Sequence, residues 1–383
     1  MQSSDPNLLA SWPIISEETI VRISDYLRAG NTSLDPDLFA TLEADLCNTF
    51  EAKHALLTCN GTSAAFSCFH AIGLKPGDEI IAPAFTHWAT ALPALHLGCR
   101  IVFADLEPSS LSIDPTALPA LVTPHTKAVV ICHLYGNPVD ICAIRAFCNN
   151  ANLRLIEDIS HAPGAIVQRK PVGSFGDMAF CSMQAAKTIS GGEIGALLTS
   201  KFDLYERAVE LGHPKRIAQL LPGRGEMESV GLGFKFRPSS LHVLLAKSAL
   251  SNLDSVNRVR CEMFGRMRQN LDQNFRITFP TEVDGSRRVY WEYEMLLPGR
   301  AHVVQRVAKC LCENGFIASG SKMNLLPDLP HFQSELKSSS KFPNARRLSK
   351  ELLVIRAFSR FDESVARALA TALNRICGEL QIL

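Results

Sequence analysis

Three short segments combine residue types that could do chemistry together. The first, Thr58-Cys-Asn-Gly-Thr-Ser-Ala-Ala65, precedes a helical pattern running to Ile72. Small residues at a helix start let backbone amides approach an anion, and the hydroxyls of Thr62 and Ser63 add contacts, so Gly61, Thr62 and Ser63 read as a phosphate turn. The same residues also make an ordinary turn and N-cap. The second segment, Leu153-Arg-Leu-Ile-Glu-Asp158, reads as a strand ending in two carboxylates and is followed by Ile-Ser-His161. Ligands of α/β sheets sit beyond the carboxyl ends of the strands, so Asp158 can face a cofactor as its charge partner. It can equally cap the next helix. The third segment is Phe180-Cys-Ser-Met-Gln-Ala-Ala-Lys187-Thr-Ile-Ser-Gly-Gly-Glu193. A lysine after an apolar strand, beside the small Ala185 and Ala186, sits where desolvation lowers its pKa and makes it a nucleophile suited to Schiff-base chemistry; a solvated surface lysine is the alternative.

Such residues need a frame. Short β-rich runs at 80–82, 100–103, 128–133, 153–157, 178–183 and 195–199 alternate with helical patterns, which predicts an α/β layered domain with a mostly parallel sheet. From 238 to about 267 the spacing of Leu241, Leu244, Leu245, Ala249, Leu250, Leu253, Val256 and Val259 predicts one long amphipathic helix. Strands at 276–279 and 289–296, a helix at 303–314 and a last helix at 363–376 behind Asp362 predict a small α+β domain. The expected division is an arm over 1–35, a large domain over 36–245 and a small one over 246–383. The only low-complexity stretch is the Ser-rich loop at 337–341.

Composition narrows the function classes. A chain of 383 residues and 42.0 kDa exceeds what one core usually serves, and 46% hydrophobic with 20% charged residues rules out intrinsic disorder. Lys and Arg number 39 against 38 Asp and Glu, a net charge of +1, so no global field draws the chain to nucleic acid or to an acidic membrane. The apolar runs are too short to span a bilayer, and the N-terminus has an early Asp5 and no basic region before an apolar core, so the expected location is the cytoplasm. The 12 cysteines form no CxxC pair; those in apolar runs (Cys59, Cys68, Cys132, Cys181) read as buried reduced thiols, and no metal site is expected.

The order phosphate turn, strand-end aspartate, then lysine after the next strand resembles the DegT/DnrJ/EryC1/StrS aminotransferases, which are fold type I pyridoxal-phosphate enzymes. The likeness runs along nearly the whole chain. It is carried by Trp12-Pro13, Asn60-Gly-Thr-Ser-Ala64, Lys75-Pro-Gly-Asp-Glu79, Pro83-Ala-Phe-Thr86, Ala89-Thr90 and His133-Leu-Tyr-Gly136. Glu157-Asp158, Gly173-Ser-Phe-Gly-Asp177, Lys187 and Phe342-Pro-Asn-Ala-Arg346 complete it. The resemblance implies a seven-stranded type of sheet sandwiched by helices, a small α+β C-terminal domain, pyridoxal 5'-phosphate as cofactor and a homodimer with shared sites.

It also implies roles. Lys187 would form the Schiff base and shuttle the proton, and Asp158 would hold the pyridine nitrogen protonated so that the ring acts as an electron sink. His161 would contact the ring's phenolic oxygen. Thr62, Ser63 and Ser182 would bind the phosphate, and His87, with Trp88 as its rival, would stack on the ring. Two stretches depart from the family. Its common Gly-Tyr-Asn-Tyr-Arg is Gly233-Phe-Lys-Phe-Arg237 here, so that Lys235 or Arg237 would reach the partner's phosphate. Its Pro-x-His, which contacts the sugar, is replaced around Lys322-Met-Asn-Leu-Leu-Pro327, where Asn324 stands near the position of His.

The implied reaction moves an amino group from glutamate or glutamine to a ketone or aldehyde such as a keto-sugar, in secondary-metabolite or surface-sugar biosynthesis. A ketocyclitol or another carbonyl is the alternative acceptor. Pyridoxamine-phosphate dehydratases of the same family carry His where Lys187 stands. A catalytically silent binding protein on this fold has no need of the Lys187, Asp158 and Ser182 set, and the short segment before Trp12 leaves no room for an appended DNA-binding domain.

Overall fold

Short apolar runs separated by polar turns build a seven-stranded sheet. In the computed structural model, which describes residues 12–31, 34–214, 216–217, 231–332, 342–358 and 360–382, its strands are β1 (His54–Thr58), β2 (Glu79–Pro83), β3 (Arg100–Ala104), β4 (Thr126–Cys132), β5 (Arg154–Asp158), β6 (Met178–Ser182) and β7 (Gly195–Thr199). The spatial order is β1-β7-β6-β5-β4-β2-β3. Only β7 runs against the others, pairing antiparallel with both β1 and β6, while the remaining pairs are parallel. The carboxyl ends of β5 and β6 therefore lie side by side, with Asp158 opposite Phe180. The Ser-rich loop at 337–341 and the first part of the expected arm lie outside the described residues.

Alternation along the strands splits the sheet's side chains between two cores. Ala128, Val130, Ile156 and Leu197 face one, which is covered by helices α3 (Gly61–Ala71) and α5 (Phe202–Gly212); α1 (Glu17–Arg28), α2 (Pro36–Phe50) and α4 (Ile141–Asn150) are the other helices of this half. Val129, Ile131, Leu155 and Leu198 face the second core, against Phe39, Leu42 and Leu46 of α2 and Ile144 of α4. Expected strand bounds agree with the observed ones to within a residue or two. β1 lacked a signal of its own: His-Ala-Leu-Leu-Thr is composed largely of good helix formers, and only pairing with β7 fixes it as a strand.

Two expectations for the C-terminal half are corrected. The long helix is two, α6 (Ser240–Ser251) and α7 (Leu253–Gln269), interrupted at Asn252, whose side-chain amide donates to the Ser248 carbonyl. Serine and asparagine compete locally for backbone groups, which the apolar spacing does not register. Arg276 to Phe279 is no strand; only Thr278 forms an isolated bridge, to Leu296. The small sheet consists of β8 (Glu292–Leu296), β9 (Ala318–Gly320) and β10 (Leu352–Arg356) in the order β8-β10-β9. Around it, α8 (Val304–Glu313), α10 (Glu363–Glu379, capped by Asp362) and α7 close a third core that includes Met263, Tyr293, Leu311, Ile355 and Leu373. Helix α9 (Pro343–Glu351) is tied to the large sheet at its N-terminus, where Asp105 accepts from the amides of Asn344 and Ala345.

Of the cysteines in apolar runs, Cys68, Cys132 and Cys181 are buried as expected, whereas Cys59 is half-buried at the turn before α3; all are free thiols. Among the described residues no helix is long and apolar enough to cross a membrane.

Candidate active site

Strand alternation decides which of the two adjacent carboxylates can do chemistry. Glu157 points away from the site and is occupied: it accepts from the amides of Gly173, Phe175 and Gly176 and meets His133 Nε2 at 3.1 Å, which explains the Gly173–Asp177 motif. Asp158, the last residue of β5, lines a cavity of about 450 Å³ at the carboxyl ends of the strands. Its Oδ2 accepts from the Thr90 hydroxyl at 2.7 Å and its Oδ1 from the Ser160 amide at 3.0 Å. No cation pairs with it within the described residues, so a buried carboxylate, fixed in orientation, faces the cavity.

Lys187 lies on the loop between β6 and β7 and lines the same cavity. The loop is tight: the Ala185 amide donates to the Gly192 carbonyl and the Gly191 amide to that of Met183, with Gly192 at φ +85°. Two indoles hold its carbonyls, Trp12 Nε1 donating to Lys187 O at 3.2 Å and Trp291 Nε1 to Ala186 O at 2.8 Å. The amine rests 4.2 Å from the centre of the Trp291 ring. Burial lowers the Lys187 pKa, and the Asp158 charge opposes that shift without cancelling it. A depressed amine beside a fixed carboxylate is the expected state of a nucleophilic lysine.

His161 is buried and stacked on Trp291, with ring centres 3.8 Å apart and planes 14° from parallel. Burial first, then the positive charge of Lys187, hold its pKa well below the ordinary value, so the ring is neutral. Its Nδ1 accepts from the Tyr135 amide at 3.3 Å, which leaves the proton on Nε2 as a hydrogen-bond donor. Trp291→Ala removes the partner of both His161 and Lys187 as well as the clamp on Ala186. We expect about 3–5 kcal/mol of lost stability, read by urea unfolding.

At the opposite wall, the N-terminus of α3 is capped by Asn60, whose Oδ1 accepts from the Ser63 amide at 2.8 Å. Gly61, Thr62 and Ser182 line the cavity. A Cβ on Gly61 would lie 2.6 Å from that of Ser182, so glycine is what lets the helix start close against the end of β6. Gly61→Ala should therefore cost about 1–3 kcal/mol by overpacking and widen the anion site; urea unfolding and a phosphate titration read the two effects.

Eight expected residues thus meet in one cavity: Gly61, Thr62, His87, Trp88, Asp158, His161, Ser182 and Lys187. His87 is half-buried, its Nδ1 accepting from the Ala89 amide at 3.2 Å, and Trp88 stands beside it 43% exposed, with ring centres 4.9 Å apart. Four others do not join them. Ser63 is off the cavity wall because both its amide and its hydroxyl donate to Asn60. Asn324 pairs by its backbone with Thr86, and its neighbours Lys322 and Met323 reach the cavity instead. Lys235 is exposed and Arg237 half-buried, and neither lines the cavity of its own chain. Phe234 and Phe236 stack at 5.0 Å and meet Phe66 edge-on, so the aromatic residues anchor this segment on α3. Leu232 and Phe234 nonetheless remain 58% and 45% exposed. Thr90, Ser160, Trp291 and Lys322 were not foreseen as site residues. Thr90 stood in a quoted motif, while Trp291 had no local signal.

The comparisons agree with this geometry. The model of the DegT/DnrJ/EryC1/StrS aminotransferase family matches residues 13–374. A curated relative, the spore coat polysaccharide biosynthesis protein SpsC of Bacillus subtilis, is 30% identical over 379 residues, covering 96% of this chain and 97% of its own. GDP-perosamine synthase of Caulobacter vibrioides is 33% identical over 255 residues, covering 66% of this chain and 67% of its own. Among solved structures, the aminotransferase from Psychrobacter cryohalolentis superimposes with a TM-score of 0.89 over 97% of this chain and 99% of its own at 21% identity, so the fold is that of the fold type I aminotransferases. With a family match over nearly its full length, the chain belongs to the DegT/DnrJ/EryC1/StrS aminotransferase family and is an aminotransferase.

Proposed function

We infer that the protein transfers an amino group from L-glutamate or L-glutamine to the carbonyl of a keto-sugar, with pyridoxal 5'-phosphate held in the cavity at the carboxyl ends of β5 and β6. The observation that carries this reading is the meeting of a depressed lysine amine, a buried carboxylate with no cation partner among the described residues and a helix N-terminus in one cavity. The donor set suits that cofactor. Asp158 matches a protonated ring nitrogen, the Nε2 proton of His161 a phenolic oxygen, and Gly61, Thr62 and Ser182 a phosphate dianion. When bound, pyridoxal phosphate supplies the electron sink for the negative charge released at the reacting carbon.

The chain's own groups do the rest. Asp158, fixed by Thr90 and Ser160, keeps a proton on the atom that faces it. Lys187 Nζ takes the proton from the α-carbon of the amino donor and returns one to the carbonyl carbon of the acceptor. His87 and Trp88 give the cavity mouth flat surfaces that limit water and confine a ring. A keto-sugar is supported by the relative named GDP-perosamine synthase. Incubation with glutamate or glutamine and a panel of keto acceptors tests the assignment: conversion of nucleotide-linked keto-sugars supports it. Conversion of ketocyclitols alone would move the acceptor, and a protein that stays colourless with added pyridoxal phosphate would favour a silent binding role.

The same reading includes an arm, a division near residue 245 and a two-fold dimer working in the cytoplasm. Lys235 and Arg237, which do not line their own cavity, would serve the partner's phosphate. Mixing Lys187→Ala subunits with subunits lacking both Lys235 and Arg237 should then restore one site in each mixed dimer. No recovery despite proven subunit exchange would mean that the phosphate site is built within one chain.

A further inference from the structure

A second, smaller hollow of about 180 Å³ adjoins the active-site cavity and shares Gln184 and Trp291 with it. Its walls also carry Trp12, Arg260, Glu292 and Arg356, and its polar groups are oddly provided for. Arg260 is 2% exposed and stacks on Trp12 with its guanidinium 4.4 Å from the ring centre. Its Nη1 donates to the Thr188 hydroxyl and to the carbonyls of Tyr290 and Trp291, all neutral acceptors, and its Nε is buried without a partner. No carboxylate pairs with it among the described residues. Burial pushes its pKa down to about 10, which leaves it charged at neutral pH.

The Arg356 side chain has no hydrogen bond or ion pair among the described residues. On the adjacent strand Glu292 sits directly opposite it, since the register of β8 and β10 pairs the two residues. Opposed residues of an antiparallel pair project from the same face. Glu292 Oε1 accepts from Lys322 Nζ at 3.0 Å, while Oε2 is buried with no donor. The hollow therefore presents, side by side, a half-buried guanidinium open to an acceptor and a buried carboxylate oxygen without a donor.

A second carboxylate would answer the arginine but would leave Oε2 unsatisfied and repelled. A primary carboxamide answers both, its oxygen accepting from Arg356 and its NH₂ donating to Glu292 Oε2. We propose that this hollow is the amino-donor subsite and that it selects L-glutamine over L-glutamate by gripping the side-chain carboxamide between Arg356 and Glu292. Position supports the assignment: the hollow shares Gln184, Ala186 and Trp291 with the cavity that Lys187 lines, and Trp291 also lies under the Lys187 amine. The proposal rests on the aminotransferase reading above and narrows its donor.

Two unreactive analogues test it by titration calorimetry on protein saturated with pyridoxal phosphate. Glutaramate keeps the carboxamide and lacks the amine; glutarate carries a carboxylate in its place. Wild type should bind glutaramate about ten-fold more tightly than glutarate, the size of one well-made hydrogen bond to a charged group. In Glu292→Gln the ratio should fall to about one, because an amide at that position can donate to either analogue. Arg356→Gln, at a half-buried site, should weaken both analogues about ten-fold. A hollow that merely holds water, or an Arg356 that turns onto Glu292 Oε2, predicts equal affinities in wild type, and that result overturns the proposal. So does an unchanged ratio in Glu292→Gln. Should that variant not fold, the wild-type ratio and Arg356→Gln still decide. Failure of the wider reading is separate: a protein that neither colours with pyridoxal phosphate nor transaminates would end it, whereas the calorimetry reports on the hollow alone.

Discussion

Lys187→Ala should lower turnover by at least about 10⁴-fold, the upper end of what one positioned acid–base group contributes. His161, the buried imidazole of the same cavity, is held neutral by burial and by the charge of Lys187, and its Nδ1 is occupied by the Tyr135 amide. His87, half-buried, has its Nδ1 occupied by the Ala89 amide. Cofactor should still bind through its phosphate, because Gly61, Thr62 and Ser182 lie on other elements. Initial rates together with the cofactor content of the purified variant check this. Activity within about ten-fold of wild type would remove the lysine from the mechanism.

Asp158→Asn should slow the reaction by about 10²–10³-fold, as the loss of one preorganised electrostatic contact does, with little change in melting temperature. The amide can keep both present contacts. Its oxygen accepts from the Ser160 amide, and its NH₂ meets the Thr90 hydroxyl, which can rotate to accept. What is lost is the charge, and with it the power to hold a proton on a ring nitrogen. A variant that fails to fold would instead give the carboxylate a capping role, for which only the Ser160 contact speaks.

Both residues were legible in the sequence, and for the same reason. Strand-end positions in a parallel sheet follow local patterns, which made a carboxylate closing β5 and a lysine following β6 candidates beside a cap and a surface charge; the family resemblance then gave them their roles. Glu157 and Asp158 are adjacent, yet alternation sends the first into a ring of loop amides and the second into the cavity. Ser63 shows where local reading falls short. A serine at a helix start suits an anion, but it also suits the cap, and here Asn60 takes both of its donors. The rest of the site is assembled from distant chain. Trp12 reaches the Lys187 carbonyl across 175 residues, Trp291 reaches Ala186 across 105, and Thr90 reaches Asp158 across 68. No periodicity spans such distances.

The same limit applied to the fold. Segments with their own signal were found where expected, β7 at both ends and the last helix at its Asp362-capped start, although it runs three residues beyond Ile376. β1 owes its conformation to its partner β7, and the break at Asn252 owes its existence to polar side chains that an apolar count ignores. The Glu292 and Arg356 pair depends on a register between β8 and β10 that only the folded small sheet defines.

Reductive trapping tests the central claim most directly. The protein is incubated with pyridoxal phosphate, treated with borohydride, digested and mapped by mass spectrometry. The account predicts a phosphopyridoxyl group on the peptide carrying Lys187 and on no other lysine in stoichiometric amount, with a two-fold excess of Lys187→Ala protein taking up none. Stoichiometric labelling of a different lysine, or none in a protein that still transaminates, would contradict it.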